Sequence, residues 1–177
     1  MIQLPPYVVQ DGRATGVLLV ADKYKWTMLS ALGGDMLEVK EGYARGVLPL
    51  TEAVMQPTGV FHAGAIVTIA DEVASAAIHG NDWQSPTESD KLFPYSIQIS
   101  VNLISNDPLG PLTAEARVLR RGRITVVDTT VFTCDGQTAA VMRSTHMMVN
   151  LKTTGPHKRK TAKPSAELPT KPTMSAD

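Results

Sequence analysis

Hydrophobic and polar positions follow two different periods along this chain, and the change between them divides it. From Ala63 to His79 the period is helical: Ile66, Ile69, Ala70, Val73 and Ala77 share one face. Val67, Ala74 and Ile78 cover a neighbouring flank, and Ala65 and Ala76 the other side. A helix so nearly apolar all round must be enclosed, by a sheet and by a second subunit. After a polar loop (80–94) the period becomes two. Ser96, Gln98, Ser100 and Asn102 alternate with Ile97, Ile99, Val101 and Leu103, which is strand patterning. Two further strands flank Gly122, and a last one follows the Asp135-Gly136 turn.

Ahead of the long helix, residues 22–32 read as a short amphipathic helix with Asp22 as N-cap and Gly33-Gly34 as its stop. Two strands then meet at Glu41-Gly42. The order is helix, two strands, one long helix, four antiparallel strands. It predicts an α+β domain, an antiparallel sheet of five to six strands wrapped around a single central helix. Residues 1–21 are set aside as an N-terminal extension and 22–151 as the folded domain. The Lys-, Pro- and Thr-rich 152–177 should be a disordered basic tail.

Charge sharpens this division. The 177 residues carry 17 basic and 17 acidic side chains, but positions 1–151 hold eleven against fifteen and the tail six against two. A mildly acidic body argues against nucleic acid as partner. The longest apolar run is too short and too acid-interrupted to span a bilayer. No basic segment followed by an apolar run opens the chain, so a cytoplasmic protein is expected. A lone cysteine, Cys134, excludes an internal disulfide, and beside a turn it reads as a semi-buried small residue. No two histidines have metal-ligand spacing, and no glycine-rich phosphate loop is present.

The candidate chemistry lies in the long helix. Asp71 sits on the flank with Val67, Ala74 and Ile78, where lost hydration pushes a carboxyl pKa upward unless a donor compensates. Glu72 is expected on a solvent-facing stripe with Thr68 and Ser75. His62 precedes the helix, whose first-turn amides favour an incipient oxyanion. Ala63, Gly64 and Ala65 carry little side chain there, so a substrate can approach; a plain helix cap fits equally. His79 at the helix C-terminus and His146 in the last strand need no role. A triad of Ser96, His62 and Asp71 lacks a nucleophile-elbow sequence. Arg120, Arg121 and Arg123 around Gly122 are either a solvated hairpin end or a phosphate clamp.

Two stretches, QPTGVFHAGAIVTIADE and the segment from SIQISVNLI to STHMMV, resemble the hotdog-fold acyl-CoA thioesterases of the PaaI-like type, in the 4-hydroxybenzoyl-CoA thioesterase superfamily. The resemblance covers roughly residues 25–150. It implies a catalytic Asp nine residues after a His, a spacing that His62 and Asp71 reproduce. It also implies an oxyanion-binding amide at Ala63, where the family has Gly, and a substrate-orienting amide six residues before the His. That position is Gln56 here and Asn in the family. Ser96 would hold the attacking water and His62 would brace the loop. Gly64 and the Arg120–Arg123 turn would meet the coenzyme A moiety. The resemblance further implies hydrolysis of an acyl-CoA with no other cofactor, in a homodimer with shared sites that pairs into a homotetramer. The alternatives are a non-catalytic acyl-CoA-binding hotdog protein, a hydratase or dehydratase, and a sheet-based interaction module.

Overall fold

The computed structural model describes residues 8–10, 13–15, 27–80 and 92–150. The elements in chain order are β1 (Val8–Gln10), β2 (Arg13–Thr15), α1 (Thr27–Ala31), β3 (Asp35–Lys40), β4 (Tyr43–Leu48) and a 3-10 turn (Glu52–Val54). They continue with α2 (Ala63–His79), β5 (Phe93–Leu103), β6 (Leu112–Arg120), β7 (Ile124–Phe132) and β8 (Thr138–Val149). Six strands form one antiparallel sheet in the order β3-β4-β6-β7-β8-β5, and β1 pairs with β2 in a separate two-stranded sheet. This is the expected sheet on one long helix. The β1–β2 ribbon falls in a stretch where the sequence pattern offered no element. The proposed Asp22 cap, most of the polar loop and the basic tail lie outside the described residues.

The helix and sheet bury each other for reasons the pattern already contains. Ile66, Ile69, Val73 and Ala77 of α2 pack with Leu48, Leu112, Ala114, Val127 and Val131 of the sheet. Each large aliphatic side chain so buried stabilises the fold by about 1.5–3 kcal/mol. The approach is tight at Gly46 of β4, where an added Cβ would stand 2.6 Å from Val73 Cγ2. Gly80 ends the helix at a positive φ of 65°, which favours glycine, with its amide donating to Ala76 O. Among the described residues no helix is long and apolar enough to cross a membrane.

β5 lies at the far edge of the sheet, an edge strand eleven residues long. Phe93 and Pro94, expected in the loop, already belong to it. Its register against β8 shifts between Ser96 and Gln98: Ser96 pairs with His146, and Gln98 with Thr145. Ile97 is thus the extra residue of a β-bulge, a device that re-aims neighbouring side chains. Strict alternation puts Ser96 on the same face as Gln98, Ser100 and Asn102. The bulge instead turns Ser96 toward the helix, while Gln98 meets Thr145 on the outer face.

Two burial expectations are corrected. Ser75, placed on a solvent stripe, is buried, and Glu72 is half-buried, because α2 is covered beyond its sheet-facing side. Cys134 is exposed at the β7–β8 turn rather than semi-buried.

Candidate active site

The approach to α2 is held by a small set of bonds. The Gln56 amide donates to Val60 O, the Gly59 amide to Gln56 O, and the His62 amide to Val54 O. Asn106 clasps the preceding residue on both sides. Its Oδ1 accepts from the Phe61 amide at 3.1 Å, and its Nδ2 donates to Phe61 O at 2.8 Å. His62 is the N-cap: its Nδ1 accepts from the Gly64 amide at 2.9 Å, and its carbonyl accepts from Ala65 and Ile66. Gly64 has to be small here, since an added Cβ would lie 3.1 Å from that ring nitrogen. With those amides engaged, the Ala63 N–H is the first-turn donor left without an acceptor among the described residues. The helix dipole adds to its pull on a developing oxyanion.

Asp71 lies two turns further on, half-buried, and its Oδ1 accepts from Ser96 Oγ at 2.8 Å. Ser96 is therefore the compensating donor that a carboxylate on this flank requires. Behind it stands His146, fully buried, with Nδ1 3.3 Å from Ser96 Oγ and Nε2 2.8 Å from Ser144 Oγ. Burial holds the imidazole below its ordinary pKa, opposed by the Asp71 charge. Glu72 accepts no hydrogen bond among the described residues. Burial first, and the neighbouring Asp71 second, push its carboxyl up to about 7.

Other sequence candidates are placed differently. The Gln56 side chain folds onto its own turn, donating from Nε2 to Thr58 Oγ1 at 2.8 Å. His62 makes no hydrogen bond to Ser96, whose partners among the described residues are Asp71 and His146, so the triad of Ser96, His62 and Asp71 does not form. Arg121 is neither a free clamp nor a merely solvated end. Its Nη1 donates to Ile78 O at the C-terminus of α2, and its Nε lies 3.8 Å from Glu41. Arg120 and Arg123 are exposed beside it, and the Gly122 carbonyl accepts from Thr125 Oγ1. The turn sits at the opposite end of α2 from Ala63, about 25 Å away along a helix of this length. His79 packs its ring at 5.5 Å from Phe93. A hydrogen bond with Asp107, then burial, raise the Cys134 thiol, which disfavours it as a nucleophile. Among the described residues no cluster of three or more His, Cys, Asp or Glu side chains could hold a metal ion.

Sequence reasoning missed His146, Ser144 and Asn106. The first two share the inward face of β8 with Met142, a signal present in its alternation. Their link to Asp71 is visible only once β5 and β8 are in register.

No protein-family model matches the chain. It is 29% identical over 103 residues to the candidate esterase ComA2 of Bacillus subtilis, covering 58% of this chain and 78% of that one. It is 29% identical over 96 residues to the 1,4-dihydroxy-2-naphthoyl-CoA hydrolase of Listeria monocytogenes, covering 54% and 73%. Among solved structures, thioesterase HI1161 of Haemophilus influenzae is 25% identical, with TM-score 0.59 over 70% of this chain and 82% of its own. The PaaI protein of the phenylacetic acid degradation operon of E. coli is 22% identical, TM-score 0.59, over 69% and 83%. Thioesterase SAV0944 of Staphylococcus aureus is 24% identical, TM-score 0.60, over 69% and 98%. It has been solved with a glutamine changed to alanine and, separately, with a glutamate fifteen positions further along changed to alanine. A Streptococcus mutans neighbour bound to acetyl-CoA is 23% identical, TM-score 0.55, over 66% and 88%. The shared architecture is the hotdog fold.

Proposed function

We propose that this hotdog-fold chain, whose structural neighbours include thioesterases of the PaaI type, is a hydrolase that cleaves an acyl-CoA thioester to the free acid and coenzyme A. The observation that carries the reading is the Ser96 hydroxyl held on the Asp71 carboxylate at 2.8 Å, on a helix whose first turn keeps the Ala63 amide open. Asp71 takes a proton from water as the water oxygen bonds to the thioester carbon, with Ser96 fixing the carboxylate and the water beside it. The Ala63 N–H receives the oxyanion. Collapse breaks the carbon–sulfur bond, and the proton returns to the leaving thiolate. Direct attack by Asp71, through an acyl-enzyme anhydride, is the variant of the same reading. Gln56 orients the substrate, and His62 braces the turn through its cap on Gly64. Gly64 meets the coenzyme A portion, and the Arg120–Arg123 turn, at the other end of α2 within one chain, meets it from the second copy. Gln56 and Asp71 are fifteen residues apart, the spacing of the two positions altered in SAV0944, which supports pairing them in one site.

One chain does not complete this site. Eight residues separate Ala63 from Asp71, a rise of about 12 Å along an α-helix, whereas base and oxyanion donor must flank one carbonyl. Asp71 therefore faces the Ala63 amide of a second copy, in a homodimer that pairs into a homotetramer. The edge strand β5 supports this assembly: it ends the six-stranded sheet, and its Ile97 and Leu103 are 52% and 48% exposed. The cytoplasmic location belongs to the same proposal.

Turnover by Asp71→Ala and Asp71→Asn, read by thiol release from a panel of aliphatic and aromatic acyl-CoAs, tests the assignment. Near-wild-type rates in either variant would remove Asp71 from the mechanism. A protein that is monomeric by light scattering while fully active would remove the shared site. The Gln56 amide spent on Thr58 and the Ala63 methyl favour a second reading, a non-catalytic acyl-CoA-binding protein. Calorimetric binding without thiol release selects it.

A further inference from the structure

The geometry points to His146 as a positioning residue for this hydrolysis, a neutral imidazole that donates from Nδ1 to Ser96 and so keeps the Ser96 hydroxyl on Asp71. The inference rests on the thioesterase reading above and adds to it a residue that never meets substrate.

The argument is one of counting protons. Ser96 has one, and the ionised Asp71 can only accept. Asp71 Oδ1 stands 2.8 Å from Ser96 Oγ and the His146 ring nitrogen 3.3 Å, so the proton belongs to the shorter contact. One of the two lone pairs of Ser96 then faces Nδ1, and a bare Nδ1 lone pair against it would repel. Nδ1 must carry hydrogen. A neutral ring protonated at Nδ1 has a bare Nε2, and Ser144 Oγ at 2.8 Å supplies a donor to it. The four groups form one chain with every donor pointing the same way: Ser144, His146, Ser96, Asp71. Neutrality of the ring agrees with its complete burial. Around it, α2 presents Asp71, β5 presents Ser96, β8 presents Ser144, and β7 sets Thr125 opposite in register. Asp71 is the ionisable group among these, and its charge is the one the ring feels.

The direction of this chain has a chemical consequence. A serine beside a histidine and an aspartate suggests an acyl-serine mechanism, but here the ring is a donor to the serine, not a base for it. Ser96 stays unreactive, and its function is to fix the carboxylate. The bulge at Ile97 makes the arrangement possible, since it brings Ser96 opposite His146 on the helix side.

The test uses the full chain labelled with 15N in histidine. At neutral pH the His146 resonances should show a protonated Nδ1 and a bare Nε2, and Ser96→Ala should redistribute that tautomer. A protonated Nε2, or an imidazolium, overturns the inference. In kinetics, His146→Leu should lower kcat about tenfold with KM unchanged, the loss expected for one hydrogen bond. His146→Asn, which restores an N–H near Nδ1, should recover most of that loss. Equal losses in the two variants would mean that the ring only fills space, and an acyl-Ser96 adduct trapped by rapid quench would reverse its role. If His146→Leu does not fold, the wild-type tautomer alone decides. A wild-type protein that releases no thiol from any acyl-CoA fails the thioesterase reading instead, while the tautomer still reports on the hydrogen-bond chain.

Discussion

Glu72 is the carboxyl group most displaced by the fold, and the Glu72→Gln change should reveal it as a stability that depends on pH. Its pKa rises from 4.5 to about 7, because burial disfavours the charged form and Asp71 adds like charge. The folded chain thus holds a proton that the unfolded chain releases at lower pH. The stabilising contribution is fully present below 4.5 and is lost as pH rises to about 7. A shift of that size corresponds to about 3.4 kcal/mol at about 1.36 kcal/mol per unit. The carboxyl is only half-buried, so solvent screening reduces the figure to about 1.5 kcal/mol. Glutamine keeps the shape without the charge. The variant should therefore match wild type near pH 5 and exceed it at pH 8 by about 3–6 °C in Tm, the size scaling for a chain of this length. Thermal unfolding by circular dichroism at half-unit steps from pH 5 to 8.5 gives the comparison. Parallel curves for the two proteins would refute the reasoning, because they would mean that the Glu72 carboxyl is as well solvated folded as unfolded.

Three further changes probe the supports of the site. Gly64→Ala should weaken the His62 cap by crowding Nδ1, costing about 1 kcal/mol and lowering kcat as the Ala63 amide shifts; denaturant titration and steady-state kinetics measure the two effects. Asn106→Ala removes both bonds to the Phe61 backbone and should cost about 1–2 kcal/mol, with a fall in kcat that exceeds any change in KM. Asp107 is buried, which acts to raise its pKa, but the amides of Cys134, Gly110 and Leu109 outweigh burial and hold it below the ordinary value. Its contribution is present above that ordinary value and lost as pH falls below it, so Asp107→Asn should flatten the acid limb of a stability profile followed by fluorescence.

What could be read from the sequence is what local burial alone dictates. The bounds of α2, Ala63 to His79, follow from helical spacing and a stop at Gly80, and β3 to β8 follow from alternation and turns. Asp71 stood out because an acid among Val67, Ala74 and Ile78 needs a partner. The identity of that partner's support was hidden by distance along the chain: Ser96 and His146 lie fifty residues apart and meet only through strand register. The bulge at Ile97 defeated period-two reasoning outright, since a one-residue slip exchanges the faces of a strand. The Arg120–Arg123 cluster reads from the sequence as either a solvated hairpin end or a phosphate clamp, because Arg121's use as a cap for the C-terminus of α2 depends on a hairpin that folds back from forty-three residues away. Helical spacing alone puts Ser75 and Glu72 on a wet stripe, as the pattern of one helix contains no record of what else covers it.

The two adjacent acids show why geometry has to be settled before proton affinity. A general base works best with a pKa near the working pH, and by that criterion Glu72, at about 7, would be the better choice. Yet nothing among the described residues holds its carboxyl in place, and a base whose oxygens are unplaced cannot aim a water. Asp71 has its oxygen fixed by Ser96, which is itself backed by His146 and Ser144. Successive residues on a helix diverge by about 100°, so one step along the chain separates an acid turned to β5 from one that is not. The pair remains coupled through charge. The Asp71 carboxylate is one of the two causes that keep Glu72 protonated, so a proton delivered to Asp71 removes part of what holds the proton on Glu72. Near pH 7 Glu72 is therefore ionised in only about half of the molecules. Its ionisation becomes easier once Asp71 has taken the proton from water, which limits how often the helix carries two half-buried negative charges side by side.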